Sequence, residues 1–155
     1  MKYVAFLRGI GPENPNMHGA KLKEFFEGLG FRNVQTLISS GNVIFETEIN
    51  GRQEIENLIE ENLPKVLGFM RLSFVRSQKE IQKLIASKPF GDTPDTPKSR
   101  LNITFLKDGG YEYNVINTVG IGTPKIMREL AKKYGEKMTM RTWKTVNRVF
   151  SKMSS

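Results

Sequence analysis

The chain contains no cysteine, which excludes disulfides, thiolate catalysis and cysteine-ligated zinc. One histidine, His18, excludes a metal cage built from histidines. No apolar run approaches the roughly 20 residues that a membrane span requires. The opening MKYVAFLRGI meets Arg8 and Gly9 instead of a cleavage-type site, so the expectation is a chain without a secretory leader, placed in a reducing cytoplasm and not at a membrane. Carboxylates are also scarce late in the chain. Residues 1–76 hold nine Lys/Arg against nine Asp/Glu, whereas 77–155 hold fifteen against seven. From Lys125 onward the count is nine against two, and such an asymmetry attracts anions.

What is present suits one compact domain of 155 residues, with ten phenylalanines to fill its interior. Tyr3–Leu7 is a continuous apolar run, as expected of a strand covered on both faces. Residues 11–16, rich in Pro and Asn, form a loop. Leu22, Phe25, Phe26 and Leu29 follow the helical period, and Gly30 ends that helix. Strands at Val34–Ile38 and Val43–Thr47 flank a Ser39-Ser40-Gly41-Asn42 turn. A helix over Ile55–Leu67, with Pro64 in its last turn, precedes a strand at Met70–Phe74. The order βαββαβ over 1–76 describes a ferredoxin-like, split βαβ half, an α+β arrangement with helices on one face of an antiparallel sheet.

Ser77 and Glu80 have capping-box spacing and open a third helix that Pro89 ends. Residues 88–100, with three prolines, read as a linker or mobile loop. Strands at Leu101–Phe105 and Tyr111–Ile116 pair across Asp108-Gly109-Gly110. Thr123 and Pro124 start a helix that Gly135 closes, and Thr142–Met153 is a last amphipathic helix. Residues 77–155 are thus expected to be a second, shorter ferredoxin-like half, possessing a further strand near 137–140. The two halves share one compact unit.

KYVAFLRGI, the stretch LKEFFEGLGFRNVQTLISSGNVIF and the closing MTMRTWKTVNRVFSKM together carry a resemblance. They are similar to the YVALLRGINVGG strand and loop, the helix ending LGF, the TYIQSGNVVF hairpin and the TTRNW-T-V helix of the bacterial family DUF1697, a domain of unknown function. This chain departs from that pattern after Arg8-Gly9-Ile10, where GPENPNMHG replaces a glycine-rich, often basic loop. The resemblance implies tandem ferredoxin-like modules and brings no activity with it.

Two groups are candidate anion sites. In a βαββαβ sheet the first and third strands are neighbours, which brings Arg8 to the same edge as Ser40 and Asn42, where a guanidinium can grip a carboxylate or phosphate. Turn chemistry already accounts for Ser-Gly-Asn, and on that preferred reading Arg8 is a solvent-facing or turn-capping residue. The second group is Arg141, Thr142 and Lys144 at the start of the last helix, where backbone N–H groups and the helix dipole favour an anion. Here Trp143 packs inward, Thr142 is a cap, and Arg141 faces outward.

Other motifs fall away. An RNA-recognition sheet needs two stacking aromatics on its third strand, and Asn42 and Ile44 stand there instead. Tyr111 and Tyr113 alternate on one face in the basic half, a pattern that serves structure as readily as stacking. Asp92 and Asp95 have no third metal ligand, and no cofactor motif is present. Three functions follow from this reading. The first is a non-catalytic module that binds an anionic ligand, a phosphorylated metabolite or nucleic acid, through the basic half. The second is an enzyme whose cleft lies between the halves, with Arg8 and Arg141 as electrostatic clamps. The third is a homo-oligomeric scaffold that buries a flat sheet face.

Overall fold

The computed structural model describes residues 1–9, 18–37 and 41–155. Ser40 and the loop expected at 11–16 lie outside the described residues. Among those described, the chain is α+β, with two antiparallel sheets and five helices. The elements are β1 (Lys2–Leu7), α1 (Gly19–Gly28), β2 (Arg32–Leu37), β3 (Asn42–Glu46), α2 (Arg52–Leu67), β4 (Ser73–Ser77) and α3 (Gln78–Ala86). They continue with β5 (Arg100–Leu106), β6 (Tyr111–Ile116), α4 (Lys125–Tyr134), β7 (Met138–Thr142) and α5 (Trp143–Met153).

The first sheet has the order β2-β3-β1-β4 and the second β6-β5-β7. All five strand pairings are antiparallel. The continuous apolar run of β1 has the consequence expected of it: at β1, β3 and β4 both faces of the first sheet are buried, while β2 at the edge keeps Asn33 and Gln35 exposed. Tyr3, Ala5, Leu7, Val43, Phe45 and Val75 meet α1 and α2 on one side. On the other side Val4, Phe6, Ile44 and Phe74 meet β5, α3 and α5. Helices therefore do not occupy one face alone, since β5 itself covers part of the second face. Phe6 stacks on Phe105 across this shared core with ring centroids 4.4 Å apart, an aromatic pairing worth about 1 kcal/mol beyond its buried area.

Helix α4 packs on the opposite face of the second sheet, where Leu130 meets Leu106 and Met138. The segment before β5 is anchored by Phe90, which is buried and sits edge-on to Trp143 at 5.3 Å. Ser77 and Glu80 make the expected capping box, Ser77 Oγ accepting from the Glu80 amide and the Glu80 carboxylate from that of Ser77. The fourth strand runs three residues later than its apolar alternation suggests. Helix α2 continues to Leu67 and closes at Gly68, whose φ of 82° suits glycine, so Met70 is left exposed before the strand begins.

β4 lies at an edge of the first sheet, with no strand beyond it. Its outward backbone is paired by side chains instead. The amides of Ser73, Val75 and Ser77 donate to the carboxylates of Glu60, Glu56 and Glu80 at 2.9 Å each. The Ser73 carbonyl accepts from Lys107 Nζ at 2.6 Å and the Val75 carbonyl from Arg76 at 2.8 Å. Glu56 and Glu60 are i,i+4 on α2, next to the apolar stripe of Ile55, Ile59 and Leu63, which aims both carboxylates at the strand.

Burying two carboxylates is costly unless cations accompany them. Lys107, at the end of β5, bridges Glu56 (2.9 Å) and Glu60, while Arg52 reaches Glu56 at 3.2 Å. Arg52 also donates to the carbonyls of Lys107 and Asp108. Glu56→Gln keeps the size of the side chain but leaves Lys107 and Arg52 short of a counter-charge. The expected loss is about 3 kcal/mol of unfolding free energy, read from the midpoint of urea denaturation followed by circular dichroism.

Candidate functional site

The structure brings Arg8, Asn42 and Arg141 to one seam, where β7 meets the β1–β3 end of the first sheet. The parity of β7 decides the direction of Arg141. Met138 and Met140 face α4, so Thr139 and Arg141 face the opposite way, in register with Phe105 and Ile103. Arg141 therefore points inward, not outward as its sequence neighbourhood suggests. Its Nε donates to Asn42 Oδ1 at 2.7 Å, Nη1 to Thr139 Oγ1 at 2.7 Å, and Nη2 to the Leu7 carbonyl at 2.9 Å. The guanidinium lies 5.4 Å from the Phe6 ring centroid. Desolvation pushes its pKa down to about 10, so it stays charged at neutral pH.

Asn42 is almost fully buried, and its amide nitrogen donates to the Leu37 carbonyl at 3.1 Å. Arg8 Nη1 donates to the Met138 carbonyl at 2.7 Å, fastening β1 to β7. Arg8 also stands on the wall of a cavity of about 440 Å³ with Gly9, Arg71 and Glu136. Thr142 is the N-cap of α5, its hydroxyl accepting from the Thr145 amide at 3.2 Å. These three candidates thus hold backbone in place.

Lys144 is separate from them. It is exposed on α5, beside an open groove of about 510 Å³ whose walls include Arg100, Trp143, Asn147 and Arg148. Arg100 is paired with Asp95 at 2.8 Å, whereas Lys144, Arg148 and Lys152 have no carboxylate within 4.0 Å among the described residues. Those three cations stand at i, i+4 and i+8, all exposed, as one stripe along the helix. The cations of α4 lie across the second sheet from α5, and two of them are paired, Lys125 with Glu129 at 3.8 Å and Lys133 with Glu112 at 3.4 Å. The basic tail therefore divides between two faces and does not converge on one.

Asn42 and Ile44 are buried beneath other elements, so the first sheet offers no base-stacking surface at those positions. Tyr111 and Tyr113 lie on the edge strand β6, with Tyr113 edge-on to Phe90 at 5.8 Å. No cluster of three or more metal-ligating side chains occurs among the described residues, where no helix is long and apolar enough to cross a membrane either. The residues that sequence reasoning passed over are Glu56, Glu60, Arg76 and Lys107. Carboxylates spaced four apart beside an apolar helix stripe were the available signal.

The family described as "Protein of unknown function (DUF1697)" matches residues 1–135. Among solved structures, the chain is similar to the conserved bacterial protein SP0830 from Streptococcus pneumoniae. The likeness covers 99% of this chain and 98% of that one, with a TM-score of 0.71 and 16% sequence identity, which speaks to the fold. No curated protein matches the chain.

Arg141→Lys retains the charge but replaces a planar fork by a single ammonium that cannot serve Asn42, Thr139 and Leu7 together. The expected cost is about 2–3 kcal/mol, since a buried charge and its polar partners lose bonds. Chemical denaturation of the purified variant measures it.

Proposed function

From a chain that belongs to the DUF1697 family, we propose a non-catalytic module that binds an extended polyanion along α5. The observation that carries this reading is the stripe of Lys144, Arg148 and Lys152, exposed and without ion-pair partners among the described residues. Spanning eight residues of helix, the stripe is about 12 Å long, more than one phosphate group occupies. A run of phosphates such as a single nucleic-acid strand fits it better than a lone phosphorylated metabolite. Trp143 and Asn147 on the same groove add a half-buried aromatic face and an amide.

Arg141, Asn42 and Thr142 are assigned to internal support for this helix, and Lys144 to the ligand. An enzyme cleft clamped by Arg8 and Arg141 gains no support, because both guanidinium groups donate to internal carbonyls. A scaffold that buries the centre of the first sheet gains none either, because helices and β5 already cover both faces of β1, β3 and β4. We further read 1–76 and 77–155 as two ferredoxin-like halves folded as one unit. The order β2-β3-β1-β4 supports the first half, and the insertion of β5 between β6 and β7 supports a shortened second.

The test is fluorescence anisotropy with labelled oligothymidylate across a salt series, with inorganic phosphate as competitor. Binding is expected to weaken steeply with salt. Replacing Lys144, Arg148 and Lys152 together by alanine should lower the log–log salt slope by about 2, at roughly 0.7 per lost contact. Arg141→Lys should bind as wild type at temperatures where it is folded. Absence of binding at low salt, or a triple variant indistinguishable from wild type, removes the proposal. Displacement by inorganic phosphate at low concentration would point to a small ligand instead.

A further inference from the structure

Away from the α5 stripe, a second cavity lies under α3. The face of α3 turned toward β5 and β6 leaves a cavity of about 400 Å³, a size typical of small-molecule sites. Ile81, Leu84, Phe105 and Tyr111 give it apolar walls, Arg76 lies against it, and Lys83 stands at its mouth. It shares no lining residue with the α5 groove, so the two sites stand or fall separately.

Arg76 is the informative group. It sits on β4 next to Val75, and the strand alternation turns it with Phe74 toward the core shared by the two sheets. Only 3% of it is exposed. Its Nη1 donates to the Val75 carbonyl at 2.8 Å, and Nη2 to the Leu106 and Gly110 carbonyls at 2.7 and 2.9 Å. A guanidinium has five N–H groups, so these bonds leave the Nε–H and one Nη1–H for another acceptor. All three acceptors are neutral, and no carboxylate lies within 4.0 Å of Arg76 among the described residues. Burial lowers the pKa of Arg76, with Glu80, Glu56 and Asp108 opposing that shift and Arg52 reinforcing it. Carboxylates act on this buried cation only from beyond ion-pair distance, which leaves a direct contact for an incoming anion to make.

We propose that this cavity binds a small organic monocarboxylate with an apolar body, its carboxylate on Arg76 and its hydrocarbon among Ile81, Leu84 and Phe105. The charge of the walls selects the ligand class. Arg76 and Lys83 oppose one carboxylate, Glu80, which accepts the Ser77 amide in the capping box, so the lining carries one net positive charge. A monoanion neutralises it, whereas a dianion leaves the site with a net negative charge.

The probe is phenylacetate, with neutral phenylacetamide as its matched control, titrated into the isotope-labelled full chain and followed by NMR. The expected result is saturable shifts of the Ile81 and Leu84 methyl signals with the acid and not with the amide. Because Arg76 also holds the β5–β6 hairpin, the test substitutions are placed at the rim. Lys83→Glu should weaken phenylacetate about fivefold through reversal of one exposed charge. Ser87→Trp, which fills the exposed mouth, should abolish the shifts. Equal binding of acid and amide, no saturable shift with either, or unchanged affinity in both rim variants would overturn the proposal.

Discussion

The edge of a β-sheet presents N–H and C=O groups that must find partners, and β4 finds them in charged side chains instead of another strand. Three glutamates accept its outward amides, and a lysine and an arginine serve its outward carbonyls. That choice has consequences elsewhere. Carboxylates drawn from water need cations, and Lys107, just past the end of β5, supplies one, so the edge of the first sheet is neutralised from beside the second. Arg52 and Arg76 continue the pattern by donating to carbonyls at Leu106, Lys107, Asp108 and Gly110. The hairpin between β5 and β6 is thereby tied to α2 and β4.

Two sets of cations in this chain behave differently. Arg8, Arg52, Arg76, Lys107 and Arg141 point into the molecule and hold backbone. Lys144, Arg148 and Lys152 point out, with no carboxylate within 4.0 Å among the described residues. Net charge read along the sequence mixes the two. The inward group adds directional bonds to a core built from Phe6, Phe105 and their neighbours, while the outward group adds a field that salt weakens.

Apolar periodicity made most of the fold legible. β1, β3, β5 and α5 lie within a residue or two of where their hydrophobic patterns put them. β4 runs past its apolar alternation because Arg76 occupies an inward position where alternation calls for an apolar side chain, so the pattern ends at Phe74. Arg141 breaks the pattern in the same way. Nothing local tells a buried arginine from an exposed one when its partners are the carbonyl of Leu7 and the side chain of Asn42, both distant in sequence. The neighbourhood of Arg8, Asn42 and Arg141 was legible from strand order alone, but whether those groups serve a ligand or the fold depends on what packs over them.

Native-state hydrogen exchange at the amides of Ser73 and Val75 tests most directly whether side chains replace a strand along β4. Both amides should exchange only through global unfolding, with protection equal to that of central β1 residues such as Val4. Exchange at rates close to those of an open edge, while β1 stays protected, would contradict the account.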